Sequence, residues 1–180
     1  MTLADEKLIN DVEELFKKAR IVLTEVEKGK IEYADFGLGE DNIRKEGLQL
    51  IIYVNNERYC AKDFALLPNQ TCPEHRHPPQ NDKQGKMETF RCRYGKVYLY
   101  TEGSAEKKIQ TEIPERSQNW YTVRHEIILN PGEQYTIQPD TRHWFQAGDE
   151  GAIVSEFSSS SDDASDVFTN PAIDRRAVDR

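Results

Sequence analysis

Short β-like runs separated by close, even turn signals predict an all-β chain, an antiparallel sandwich or barrel with a helical segment at its N-terminus. Three observations carry that expectation. From Gly47 onward the apolar period is two, with Leu48, Leu50, Ile52 and Val54 on one face and Ile51 and Tyr53 on the other. Turn residues recur at Asn55-Asn56, Pro68-Asn69, Asn130-Pro131-Gly132 and Gly148 to Gly151. No strand–helix–strand rhythm is present, which argues against a parallel sheet.

The elements follow in order. Thr2 with Asp5 three residues on resembles a capping box. Leu8, Val12, Leu15, Phe16 and Ala19 then fall on one face of an amphipathic helix over residues 4–20, expected to brace the main body. Thr24 caps a second short helix that runs to about Lys28. Residues 29–46, charged and broken by Gly29, Gly37 and Gly39, read as a surface connector. Strands are predicted at 48–54, 58–67, 71–77, 88–93, 96–101, 125–129, 133–137, 143–147 and 152–158, with a long polar loop over 103–119. The organisation expected is one domain: a helical and connector segment over 1–46, a barrel over 47–160, and a serine- and aspartate-rich tail over 161–180, extended on the surface and frayed at its end.

Length and charge narrow the function. A chain of 180 residues fits a single domain with a real core. Its net charge of -8 argues against nucleic acid and suits a neutral small-molecule substrate. No run approaches a membrane span and the first residues lack an apolar signal region, so a cytoplasmic protein is expected. Cys60, Cys72 and Cys92, without CxxC spacing, are expected as free, buried thiols.

The chemistry concentrates between Pro68 and Gly95. His75 and His77 are two apart, so on a strand both imidazoles share one face. Glu88 opens the next strand after a polar loop, and a hairpin would bring it back beside them. The segment from Gly132 to Gln146 forms a second hairpin that delivers His143 at the start of a strand. Three imidazoles and a carboxylate suit a divalent ion such as Zn, Fe, Mn, Ni or Co, with positions left for a substrate carbonyl and hydroxyl. Against this stands the plainer alternative that His75 and His77 are surface residues on an edge strand.

These residues resemble the two motifs of the cupins. His75-Arg76-His77, then Glu88 with six residues to Gly95, follow the first, and Gly132 with His143 follow the second. Asn69 stands where the first motif has glycine, and ten residues rather than three or four separate His77 from Glu88. Gln138, Asp140 and Ala147 take the places of the second motif's proline, glycine and asparagine. The longer runs Thr-Cys-Pro-Glu-His-Arg-His-Pro-Pro, Glu-Thr-Phe-Arg-Cys-Arg-Tyr-Gly and His-Trp-Phe-Gln-Ala-Gly resemble the bacterial D-lyxose isomerases of the cupin superfamily, from about Lys18 to Pro171.

That resemblance implies a cupin-type antiparallel β-barrel, or jelly roll. It implies a metal, commonly manganese, on His75, His77, Glu88 and His143, and a homodimer. The implied activity interconverts D-lyxose and D-xylulose, with D-mannose and D-fructose as related substrates, through a metal-stabilised enediol. A base must face the metal without ligating it. Glu156, the one charged residue of the 152–158 strand, fits that role, and the resemblance places the glutamate of Ser-Glu-Phe-Ser in the site. By the same resemblance Lys62 reaches the substrate oxygens. Among Asp162, Asp163 and Asp166, the last is chosen to orient a sugar hydroxyl, because Val167-Phe168 beside it would anchor it. Arg91 and Trp144 are candidate pocket walls, although a tryptophan is more often core. His125 is read as structural. Two alternatives use the same ligands: an Fe(II) oxygenase, and a sugar-binding cupin without turnover.

Overall fold

The computed structural model describes residues 5–80 and 84–175. Helix α1 spans Glu6–Lys18 and α2 spans Glu25–Lys28. The expected Thr2 cap lies outside the described residues. Asp5 is itself the N-cap, its carboxylate accepting from the Leu8 amide at 2.6 Å. Thr24 and Glu27 form the full capping box of α2. The apolar face of α1 buries Leu8, Val12, Leu15 and Phe16 against Ile51, Ala65 and Ile153 of the sheet, so α1 is a brace on the sheet's outer side. No helix among the described residues is long and apolar enough to cross a membrane.

Among the described residues, nine strands make one curled antiparallel sheet, the cupin-type barrel: β1 Glu32–Ala34, β2 Leu48–Asn55, β3 Cys60–Leu66, β4 Thr71–Arg76, β5 Glu88–Thr101, β6 His125–Leu129, β7 Gln134–Ile137, β8 His143–Ser158 and β9 Val167–Phe168. The predicted break between the 88–93 and 96–101 strands and the predicted turn at Gly148 to Gly151 do not end strands. β5 and β8 instead run through them as 14- and 16-residue strands paired along their length. The pair bends where the register shifts between Cys92 and Tyr94 and again between Gly95 and Val97. Gly95 and Gly151 meet at this bend, both with positive φ, and a Cβ on Gly95 would overlap the Gly151 carbonyl oxygen.

The bend lets two strands serve both layers. On one side of it β7, β5, β8, β3, β2 and β1 lie in order; on the other, β6, β5, β8, β4 and β9. Between the layers sits the main core, with Leu50, Phe64, Phe90, Leu99, Phe145 and Val154. The sheet extends beyond the predicted 47–160 barrel at both ends. β1 comes from the connector and β9 from the tail, which therefore pairs with β4 as far as it is described. All three cysteines are free and buried.

Candidate active site

Strand alternation points one set of side chains into the barrel at its open end. On β3 and β8, Lys62 and Glu156 are register partners; on β5, Glu88 and Phe90 face the same way. β4 carries a bulge between Cys72 and His75, where Pro73 sits at a position that needs no ladder amide. The bulge lets Cys72 and His75 both line the interior cavity. His75 then pairs with His143 across β4 and β8. The cavity so formed is small, about 30 Å³. Its polar lining includes Lys62, His75, His77, Lys86, Glu88 and Glu156, and its apolar wall includes Phe36, Phe64, Phe90, Phe145 and Phe168.

The histidines are aimed by their far nitrogens. His75 Nδ1 is 2.8 Å from the Pro73 carbonyl and His143 Nδ1 is 2.9 Å from the Thr141 carbonyl. A carbonyl only accepts, so each Nδ1 carries the hydrogen and each Nε2 presents a lone pair. His77 Nδ1 lies 2.5 Å from Asp166 Oδ1. The ligand atoms of His75, His77 and His143 lie within 4.8 Å of one another, and all three residues are buried, a cluster that can hold a metal ion. Glu88 Oε1 is 3.2 Å from His77 Nε2 and 2.9 Å from His143 Nε2. Yet His143 Nε2 has no hydrogen-bond partner. A buried lone pair facing a carboxylate oxygen is repulsive unless a cation lies between them. The donor set, three imidazole nitrogens beside one carboxylate, thus fits a divalent first-row ion.

Burial and neighbouring charge act differently on the members of this cluster. Burial pushes His75 well below its ordinary pKa, helped by His143 and His77, so it stays neutral as a ligand must. Burial opposes charge on His77 as well, but Glu88 and Asp166 outweigh it and raise its pKa to about 9. Burial works against charge on Glu88, but the Lys86 ammonium and His77 outweigh it and hold Glu88 well below the usual carboxylate range.

Beside this cluster sits a second group. Glu156 is 1 % exposed; its Oε1 accepts from Lys86 Nζ at 3.1 Å and from Ser158 Oγ at 2.8 Å, while its Oε2 has no partner. Lys86 also reaches Glu88 Oε2 at 2.7 Å. Lys62 Nζ donates to both oxygens of Asp163, at 2.9 and 3.0 Å, and to Ser161 Oγ at 3.1 Å. Burial works against charge on Lys62 and Lys86, but Glu156 and the other nearby carboxylates raise both, so each is an ammonium donor.

Of the residues chosen from sequence, His75, His77, Glu88, Glu156, Lys62 and Asp166 all line this cavity. Asp166, expected on a sugar hydroxyl, lies against His77 Nδ1, and Asp163 is the tail carboxylate that pairs with Lys62. Arg91 and Trp144 do not line it. Arg91 follows Phe90 and so points outward, where it donates to Gln134 Oε1 at 3.0 Å. Trp144 lies between His143 and Phe145 on β8 and faces the outer layer, stacked on Tyr100 with Nε1 donating to the Val123 carbonyl. His125 is remote, its Nδ1 near the Ser104 carbonyl. Sequence reasoning misses Lys86, although its spacing of two from Glu88 is a signal that both share a face. It misses Arg175 too. That residue lines the cavity from the tail, pairs with Glu32 and lies 3.6 Å from Asp163 Oδ2.

Comparison with known proteins agrees with this geometry. The structure is similar to the L-ribose isomerase of Acinetobacter sp. DL28 in complex with L-ribose (TM-score 0.73) and to that of Cellulomonas parahominis with L-ribose (TM-score 0.72). Each match has 14% identity and covers 93% of this chain and 92% of the other, a likeness of fold. In sequence, the chain is 64% identical to the D-lyxose/D-mannose isomerase of Thermosediminibacter oceani, over 91% of this chain and 90% of that one. It is 59% identical to the D-lyxose ketol-isomerase of Cohnella laeviribosi, over 93% and 91%. The model of the D-lyxose isomerase family matches residues 24–178. A barrel with three converging imidazoles and relatives this similar over most of its length together make the chain a member of the D-lyxose isomerase family.

Proposed function

We propose that this chain is an aldose–ketose isomerase that interconverts D-lyxose with D-xylulose and, at the same site, D-mannose with D-fructose. The observation that carries the reading is Glu156. It is a buried carboxylate with one oxygen fixed by Lys86 and Ser158 and the other unpartnered, close to a cluster that can hold a metal.

Isomerisation moves one proton from C2 to C1 of the open-chain sugar and another from O2 to O1. The barrier is the instability of the negative charge that develops on O1 and O2. His75, His77, Glu88 and His143 would hold the ion, most simply Mn2+, and when bound it would supply the Lewis acidity that disperses this charge. Glu156 Oε2 takes the C2 proton and delivers it to C1, since a single carboxylate oxygen reaches neighbouring carbons without turning. Lys86 keeps Oε1 occupied, so the proton has one place to go. Lys62, an ammonium anchored by Asp163 and Ser161, donates to sugar hydroxyls and does not act as a base. Phe90 and Phe168 help keep bulk water from the carbon being deprotonated. We further propose a homodimer in the cytoplasm.

The test is ketose formation from D-lyxose by protein stripped of metal and reloaded with Mn2+, run with and without oxygen. Oxygen-independent D-xylulose is the expected product. Oxygen consumption, or binding without product, would turn the reading to an Fe(II) oxygenase or a sugar-binding protein. Glu156→Gln is expected to lower kcat by roughly 10²- to 10⁴-fold, the usual worth of a positioned acid–base group, with metal content unchanged. Retained turnover would remove Glu156 from the reaction.

A further inference from the structure

Glu74 is adjacent to His75 in sequence but lies outside the cavity, and it is 1 % exposed. Its carboxylate accepts four hydrogen bonds from two distant segments. Oε1 takes the hydroxyls of Thr122 at 2.7 Å and Thr169 at 2.6 Å, and Oε2 takes the amides of Thr122 at 2.5 Å and Val123 at 2.9 Å. The Thr169 amide also donates to the Glu74 carbonyl at 3.0 Å. A buried carboxylate satisfied on every side stabilises its own position, and here it ties β4 to the loop before β6 and to the tail.

The tail held by this clamp touches the candidate metal ligands one after another. Asp166 receives His77 Nδ1, Val167 pairs with Arg76, Phe168 lies 5.3 Å from the His75 ring at 31°, and Thr169 bonds Glu74. β9 has only two residues, too few ladder bonds to fix a segment without help. Its other anchors lie on either side: Lys62 holds Ser161 and Asp163 before it, and after it the Asp174 amide donates to the Phe36 carbonyl and Arg175 pairs with Glu32.

We propose that Glu74 is a positioning residue of the metal centre. Through Thr169 it holds the 166–169 segment on β4, and only in that place do Asp166 orient His77 and Phe168 cover His75. The clamp thereby couples docking of the C-terminal segment to metal affinity. This rests on the reading of His75, His77, Glu88 and His143 as the metal site.

The experiment titrates metal-free protein with Co2+, following its visible absorption against a competing chelator. Thr169→Val keeps side-chain shape and leaves the Thr122 and Val123 bonds in place; Glu74→Gln is the stronger disruption. Thr169→Val is expected to weaken Co2+ binding by about tenfold or more, as losses behind a metal ligand do, and to alter the absorption band. Asp166→Asn should do the same, and the double variant Thr169→Val/Asp166→Asn should lose less than the two single losses combined, because Thr169 acts in part through Asp166. Proteolysis within 159–170 should quicken in Thr169→Val, with the far-ultraviolet circular dichroism unchanged. Wild-type affinity and spectrum in Thr169→Val, or losses that add in the double variant, would overturn the clamp while leaving the metal site standing. A wild-type protein that binds no Co2+ would take both down.

Discussion

Glu156 and Lys86 show how single residues set the character of this site. Two carboxylates, Glu88 and Glu156, lie in the barrel interior at 1 % exposure, and the Lys86 ammonium stands between them. Replacing Lys86 by Met leaves two buried negative charges without that shared cation. The expected cost is about 3–5 kcal/mol, the usual penalty for breaking a buried ion pair from one side. Urea unfolding of metal-free Lys86→Met measures it. The loss should shrink when Mn2+ is present, since a cation near Glu88 replaces part of the missing charge; an equal loss with and without metal would argue against a cation at that position. His75 and His77 are legible from type and spacing, because period-two alternation fixes which residues share a face, whereas Glu156 enters the site reading through the family resemblance. Trp144 is a pocket wall in the sequence reading, yet the same rule puts it opposite His143, where the structure has it. Asp163 and Asp166 are not separable from sequence, since a loop has no period from which to read a direction.

At the scale of elements, the bent β5–β8 pair organises the molecule. Sequence reads each of these strands as two, because Gly95 and the Gly148-to-Gly151 stretch look like chain reversals. The glycines here permit a bulge and a close backbone crossing instead. Two substitutions separate crowding from backbone strain. Gly132 has φ +92° and nothing within 4 Å of the point a Cβ would occupy, so Gly132→Ala should cost only the strain, about 1 kcal/mol. Gly95→Ala adds a collision with the backbone of β8 that no side-chain rotation relieves, so its loss should exceed that of Gly132→Ala by about 2 kcal/mol or more. Chemical denaturation of the two variants decides it; equal losses would mean that the two strands cross with room to spare.

For the whole molecule, the site joins distant parts of the chain. His75, Glu88, His143 and Glu156 come from three strands, Lys62 from a fourth, and Asp166 from the tail. An ion bound there engages only the folded arrangement. At one hundred times its Kd it would stabilise the fold by about 2.7 kcal/mol. For a chain of this size that is a rise in Tm of roughly 5–10 °C. A thermal melt after chelation should therefore fall by that order and recover on adding Mn2+. An unchanged Tm would mean that the four groups do not share an ion.

The sequence by itself determined the all-β class, the strand faces, the helical brace and the identity of the metal-ligand candidates. These follow from local periodicity and from side-chain chemistry, which do not depend on distant neighbours. Only the tertiary structure decided that two pairs of predicted strands are two long bent ones, that the tail returns to β4, and that Lys86 and Arg175 enter the cavity while Arg91 and Trp144 do not. Each of those outcomes depends on which surfaces meet after the chain closes on itself, and residues far apart in the chain carry no local mark of that meeting.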